Sequence, residues 1–164
     1  MMHTVIRKYE ESDIGEMIDI WNGIVEDGNA FPQKETLDSD SGKNFFASQT
    51  YTGVAYDTEK DKICGLYILH PNNVGRCGHI CNASYAVDKN YRGCGIGRLL
   101  VEDCLKSAKE HSFKILQFNA VIASNVVAQK LYEKMGFKKI GIIPNGFCMK
   151  DGSYEDIYPY YYEL

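Results

Sequence analysis

The run of sixteen residues from Tyr85 to Leu100, YAVDKNYRGCGIGRLL, constrains this chain more than any other stretch. It begins at the end of an apolar segment, His79 to Val87, and crosses a short polar turn. It then passes through Gly93, Gly95 and Gly97 and continues as an amphipathic helix. Ile96, Leu99, Leu100, Leu105 and Ala108 fall near helical spacing there. A strand feeding a helix through glycines exposes the first helical N–H groups, which lack internal partners and lie at the positive end of the helix dipole. Glycine at every second position lets backbone approach an anion with no Cβ in the way. Arg92 and Arg98 flank the run and can add charge-assisted contacts. Arg92, Gly93, Cys94, Gly95, Ile96, Gly97 and Arg98 thus form a candidate diphosphate cradle. A tight turn that uses glycine for positive φ is the plainer reading of the same residues.

Two common phosphate motifs do not fit. A dinucleotide fingerprint beginning at Gly93 and Gly95 needs glycine at position 98, where Arg98 stands, and a P-loop needs Lys and Ser or Thr after its last glycine, where Arg98 and Leu99 follow Gly97. With 164 residues, 45% of them hydrophobic, the chain is expected to form one domain with a substantial core. A net charge of −4 argues against a nucleic-acid partner. No apolar run is long enough to span a bilayer, so no membrane partner is expected. Cysteines 64, 77, 81, 94, 104 and 148 are scattered, mostly within apolar elements, as in a reduced, cytoplasmic protein.

Periodicity and turn residues predict the remaining elements. Thr4 to Arg7 read as a strand, Ile14 to about Val25 as a helix, and Glu35 to Ser48 as a weaker helix with a loop at 38–42. Tyr51 to Tyr56 and Ile63 to Leu69 read as a hairpin across a polar turn. After the glycine helix come a strand at Ile115 to Val121, a helix from Ser124 or Asn125 to Met135 closed by Gly136, a strand at Phe137 to Ile143, a turn at Pro144-Asn145-Gly146, and a last strand at Glu155 to Tyr162. The order βααβββαβαββ is an α+β arrangement: a mixed seven-stranded sheet with helices on both faces.

Two motifs carry a family resemblance. Arg92-x-x-Gly95-x-Gly97 resembles the [RQ]-x-x-G-x-[GA] turn of the GNAT-type N-acetyltransferases, and Asn125-x-x-Ala128-x-x-Leu131-Tyr132-x-x-x-Gly136-Phe137 resembles the same family's N-x-x-A-x-x-L-Y-x-x-x-G-F signature. The element order matches the family over nearly the whole chain. The resemblance implies the GNAT fold with splayed central strands, acetyl-CoA as co-substrate, direct transfer to an amine within one ternary complex, and no metal. It places the pyrophosphate on the glycine turn and the pantetheine along the edge of the motif strand, at the backbone of Tyr85, Ala86 and Val87. A backbone N–H there would polarise the thioester carbonyl. Asn125 would reach the pantetheine, or act as a plain N-cap, or both. Ala128 permits close approach. Tyr132, two helical turns beyond Asn125, would hydrogen-bond the departing thiolate. Full proton transfer from a reference phenol to a reference thiolate is uphill by roughly 2 kcal/mol, so hydrogen bonding suffices at first. The alternative for Tyr132 is a core tyrosine packed on Leu99. Family members often dimerise, so a homodimer is a candidate assembly.

The acceptor side is less defined. Asn82 and Asn119 lie in otherwise apolar strands, where amides must find partners or face a polar ligand. The words around them are similar to the fungal acetyltransferases of proline-like cyclic imino acids, which implies that Asn82 and Asn119 hold the substrate. Trp21, Phe31, Tyr154 and Tyr158 are candidate pocket walls, or sheet and core aromatics. The motif strand carries no Glu to serve as base. Glu26 and Asp27 could bind the amine or relay its proton, His79 is the other candidate, and a water chain is a third route. Cys77-x-His79-x-Cys81 places three candidate ligands on one strand face but lacks a fourth ligand and a chelating turn, so no metal is expected. The leading reading is an N-acetyltransferase for a small amine or amino acid. The alternatives are an acyl-CoA sensor without turnover and a protein or peptide N-acetyltransferase.

Overall fold

The computed structural model describes residues 3–164. Strand β1 spans Thr4–Lys8, α1 Ile14–Asp27, α2 Ser39–Ala47, β2 Tyr51–Asp57, β3 Lys62–Pro71 and β4 Ile80–Val87. Helix α3 follows at Ile96–Glu110, then β5 Ile115–Ile122, α4 Val126–Lys134, β6 Lys138–Lys139, β7 Ile143–Cys148 and β8 Tyr154–Glu163. One eight-stranded sheet has the order β1-β2-β3-β4-β5-β8-β6, with β7 also on β8. All neighbours are antiparallel except β4 and β5.

The sheet separates two cores. Residues 63–69 of β3 are buried on both faces, as befits the middle of a covered sheet. Ile63, Leu66 and Ile68 face Met17, Ile20, Trp21, Val25 and Phe46 of α1 and α2. Cys64, Tyr67 and Leu69 face Ile96, Leu100, Val101, Cys104 and Ala108 of α3. Gly65 is what lets α3 settle so low: a Cβ there would come within 2.9 Å of the Ala86 carbonyl and 3.1 Å of both Ile96 and Leu100. The start of α3, and with it the glycine turn, is thereby fixed against β3 and β4.

Two expectations change at the element level. The loop assigned to 38–42 is mostly helix: Asp38 caps α2 by accepting from the Ser41 N–H at 2.7 Å, so residues 39–42 are helical. The sixth and last-but-one strand, expected at Phe137 to Ile143, is broken in two, which makes eight strands. Lys138–Lys139 and Ile143–Cys148 pair successive parts of β8, and Pro144-Asn145-Gly146 forms a bulge within β7 rather than a turn between strands. Pro144 has no N–H for the ladder, and Asn145 takes φ +54° with its N–H bonded to Asp156. No helix among the described residues is long and apolar enough to cross a membrane.

Candidate active site

The parallel pair β4–β5 is hydrogen-bonded only at Ile80↔Ile115 and Cys81↔Leu116. Beyond those two positions the strands part. The opening is a cavity of about 190 Å³ lined from β4 by Asn82, Ala83, Ser84 and Tyr85, from β5 by Phe118 through Ile122, and from α4 by Ala128 and Tyr132. Asn125, and Ala30, Phe31 and Pro32 from the α1–α2 connection, complete the wall. Five consecutive residues of β5 reach one cavity because the strand bulges. Phe118 pairs with Tyr160 and Val121 with Tyr158, so Asn119 and Ala120 together face Pro159 of β8. Pro159 cannot donate to the ladder, and the bulge turns Asn119 toward the opening.

At the other end of β4 the glycine turn has the form an anion needs. Gly95 is the N-cap of α3 in the left-handed conformation, φ +84°, with no capping side chain. The first intrahelical bond is Leu99 N–H to Gly95 O, so the N–H groups of Ile96, Gly97 and Arg98 have no helical acceptor. A Cβ on Gly93 or Gly95 would meet no atom of the chain within 4 Å, so the space above the turn is open. These features fit a phosphate group. Both flanking arginines are already paired: Arg92 Nη2 lies 3.3 Å from Asp27, and Arg98 Nε lies 2.7 Å from Glu102. Cys94 is exposed, its Sγ 3.8 Å from the Arg92 carbonyl.

Asn125 caps α4, accepting from the Ala128 N–H at 3.2 Å, and its Nδ2 has no partner among the described residues. Tyr132 stands within an aromatic group, with ring centroids 4.4 Å from Phe118, 5.6 Å from Phe137 and 6.4 Å from Tyr85. Burial pushes the phenol well above its ordinary range, which keeps it protonated at neutral pH. Tyr85 lines the cavity, while its hydroxyl is buried without a hydrogen-bond partner among the described residues and titrates upward from burial. Ala86 and Val87 lie past the cavity, paired to Leu66 and Gly65 of β3.

Asn82 and Asn119 are brought together, joined through Asn72 of the β3–β4 connection. Asn72 Oδ1 accepts from Asn119 Nδ2 at 2.7 Å and from Asn82 Nδ2 at 3.3 Å. Asn72, which follows Pro71, belongs to no motif of the sequence. Trp21 does not line the cavity. It is 1% exposed in the α1–α2 core, its ring 4.3 Å from Phe31, and Phe31 is the aromatic that reaches the opening. Glu26 is exposed on α1, outside the cavity wall, its carbonyl accepting from Lys150 at 2.9 Å. Tyr154 is exposed on β8, and Tyr158 lies under Lys139, so neither walls the opening. No Asp, Glu, Lys, Arg or His lines the cavity. Among the described residues no three His, Cys, Asp or Glu are grouped to hold a metal ion.

A strand-to-helix phosphate turn beside a wedge between two parting strands defines an acyl-CoA transferase type of site. The chain belongs to the acetyltransferase (GNAT) family, whose model matches residues 16–137. Such domains take their acyl group from acetyl-CoA. The chain is similar to the N-acetyltransferase aca1 of Schizosaccharomyces pombe, 38% identical over 106 residues, 64% of this chain and 51% of that protein. It also resembles Protein SPT10 of Saccharomyces cerevisiae, 30% identical over 91 residues, 55% of this chain and 14% of that one. The chain therefore spans about half or less of the length of these curated relatives. Among solved structures, a GCN5-related N-acetyltransferase from Kribbella flavida superposes with a TM-score of 0.90 at 28% identity, covering 98% of both chains. The yncA protein of Salmonella typhimurium, solved with its cofactor acetyl-CoA, shares the fold at a TM-score of 0.90 and 17% identity, covering 98% of this chain and 94% of that one.

Proposed function

We propose that this protein acetylates the amine of a small amino acid or cyclic imino acid, with acetyl-CoA as donor. The observation that carries the acceptor class is the asparagine pair in a cavity wall that holds no ionised side chain. A polyamine or lysine side chain would bring a cation that no carboxylate there can neutralise, and burying it unpaired costs several kcal/mol on the order seen for lone buried charges. An amino acid brings a carboxylate that takes amide N–H donors and an amine N–H that gives to an amide carbonyl. A cavity of about 190 Å³, lined on one side by Phe31 and Pro32, suits a small body better than a peptide.

The residues of the chain divide the work by place. The free N–H groups of Ile96, Gly97 and Arg98, with Arg92, would hold the pyrophosphate, and the Asn125 amide would hold the pantetheine arm. Acetyl-CoA supplies a thioester as the activated acyl group. The wedge aligns the acceptor nitrogen with it and excludes bulk water, which supplies most of the acceleration where no side chain acts as nucleophile. Tyr132 donates a hydrogen bond to the departing sulfur. The acceptor proton leaves through water, since no carboxylate or imidazole lines the cavity. Free cysteines at six positions, three of them exposed, support a reducing compartment such as the cytoplasm.

The test is release of coenzyme A thiol from acetyl-CoA with a panel of proline, azetidine-2-carboxylate, linear amino acids, spermidine and short peptides, with products weighed by mass spectrometry. Amino- or imino-acid products are expected. Turnover of spermidine or peptides alone would overturn the acceptor class, and acetyl-CoA binding without turnover of any acceptor would make the domain a sensor.

A further inference from the structure

The amide of Asn72 lies outside the cavity wall yet holds both amides that reach it. Its main chain is tied to the start of β4 by a 2.8 Å bond from Asn72 N–H to the Ile80 carbonyl. Its Oδ1 accepts from Asn119 at 2.7 Å and from Asn82 at 3.3 Å, and its Nδ2 donates back to Asn119 Oδ1 at 3.2 Å. Gln117 adds a second donor to Asn119 Oδ1 at 3.0 Å. These amides stand where the β4–β5 ladder stops. The last paired residues are Cys81 and Leu116, and Asn82 and Gln117 come next along each strand. Side chains continue across the gap a connection that the backbones have given up.

Counting donors and acceptors shows what this leaves for a ligand. An amide carbonyl accepts two bonds and an NH2 group donates two. Asn72 Oδ1 and Asn119 Oδ1 each already accept two. Asn82 Oδ1 accepts none among the described residues, and Asn82 and Asn119 each keep one N–H. The Asn82–Asn119 pair therefore leaves unpartnered one carbonyl, from Asn82, and two N–H groups, one from each strand, beside the Asn125 NH2 in the same wall. Without Asn72 the Asn82 amide would lose its only side-chain partner and could turn over to present the opposite polarity, and Asn119 would be held by Gln117 alone.

We propose that Asn72 is a positioning residue for acceptor specificity: it fixes the amides of Asn82 and Asn119 so that Asn82 offers its carbonyl to the acceptor's N–H while both strands offer N–H to its carboxylate. This rests on the amino-acid reading above, and the two can fail separately. Asn72 touches no substrate, so its effect passes entirely through the two asparagines it holds.

The experiment measures KM and kcat for L-proline and azetidine-2-carboxylate in Asn72→Ala, Asn82→Ala, Asn119→Ala, the Asn82→Ala/Asn119→Ala double variant and the triple variant. A companion measurement follows side-chain NH2 signals of protein labelled with 15N-asparagine. Asn72→Ala, which removes three side-chain hydrogen bonds to the pair, should raise the acceptor KM about tenfold, the net worth of about one hydrogen bond to the acceptor, with KM for acetyl-CoA within about twofold. In the Asn82→Ala/Asn119→Ala background the same change should add nothing, because its targets are gone. A merely structural role would still lower activity there. Asn72→Ala should also abolish slow hydrogen exchange of the Asn82 and Asn119 side-chain amides. Unchanged KM and exchange in Asn72→Ala, with raised KM in the Asn82 and Asn119 variants, would overturn the positioning role alone. Unchanged KM in those two variants, or no turnover of either probe, would overturn the amino-acid reading, and the exchange measurement would still judge Asn72. If Asn72→Ala does not fold, Asn72→Leu replaces it, with the same outcomes.

Discussion

Arg92 of the glycine turn reaches Asp27, the last residue of α1, with Nη2 3.3 Å from Oδ2. The pair ties the cofactor end of the site to the segment that supplies Ala30, Phe31 and Pro32 to the acceptor end. Lys150 clasps the same helix end from the other side through the Glu26 carbonyl. Both partners are about half exposed, 52% and 48%, so the ion pair is worth under about 1 kcal/mol. A phosphate on the turn competes for the same guanidinium. Asp27→Asn should therefore tighten acetyl-CoA binding by roughly two- to fivefold, while Arg92→Ala should weaken it about tenfold. Calorimetry at two salt concentrations measures both; an unchanged Kd in Arg92→Ala would remove that side chain from the site.

Gly95 and Gly97 separate backbone strain from ligand space. Gly95 has φ +84°, where a side chain costs about 1–2 kcal/mol whatever the room around it. Gly97 is helical, and a Cβ there would meet only Leu131 Cδ2 at 3.6 Å, an ordinary contact. Gly95→Ala should lower the melting temperature by about 2–8 °C. Gly97→Ala should raise stability by up to about 1 kcal/mol. Both should weaken acetyl-CoA binding, since each sets a methyl group on the exposed N–H groups. Scanning calorimetry read beside titration separates the effects. Retained affinity in the stabilised Gly97→Ala variant would mean that the phosphate does not sit there.

The form of the glycine turn and of the helix behind the second motif was legible because their constraints are local. Glycine spacing, an N-cap at Asn125 and a stop at Gly136 are dictated within a few residues. The fold class followed from the order of periodic segments. What escaped was set across the sheet. Trp21 has the composition of a pocket wall, but its place on α1 is decided by Phe31, Phe45 and Phe46, which close around it. The bulge at Asn119 depends on Pro159, forty residues later and on the neighbouring strand. Asn72 had no local mark, since an asparagine after a proline in a loop reads as turn chemistry. The two-part edge strand needed the register of β8 as well as the missing N–H of Pro144.

Tyr132 gives a kinetic prediction with a direction in pH. Its ring is fixed by Phe118 and Phe137, so Tyr132→Phe keeps the packing and removes one hydroxyl. Turnover should fall by about ten- to a hundredfold, as for loss of a hydrogen bond to developing charge, with acetyl-CoA affinity nearly unchanged. The phenol's range is raised, so the proton it needs is retained as pH climbs. The wild-type kcat should show no descending limb from this group below pH of about 10, the ordinary tyrosine value. Stopped-flow thiol release across that range tests the claim; equal turnover in the Phe variant would deny the phenol a part in the chemistry.

Alkali should destabilise the fold before it affects the phenol. Burial, reinforced by the Asp57 charge, pushes the Cys64 thiol up to about 11, and burial pushes the Cys81 thiol up to about 12. In the unfolded chain both ionise near pH ~8.5. Between those values the unfolded chain has lost protons that the folded chain keeps, so stability present below pH ~8.5 falls as pH rises. The slope approaches about 1.4 kcal/mol per pH unit for each such group until its folded value is reached. Urea midpoints should be flat from pH 7 to about 8.5 and then decline. Cys81→Ala removes one titrating group and should make that decline shallower, even though it costs stability at neutral pH by leaving a small cavity. An identical alkaline slope in the variant would show that the buried thiol is not what couples this fold to proton loss.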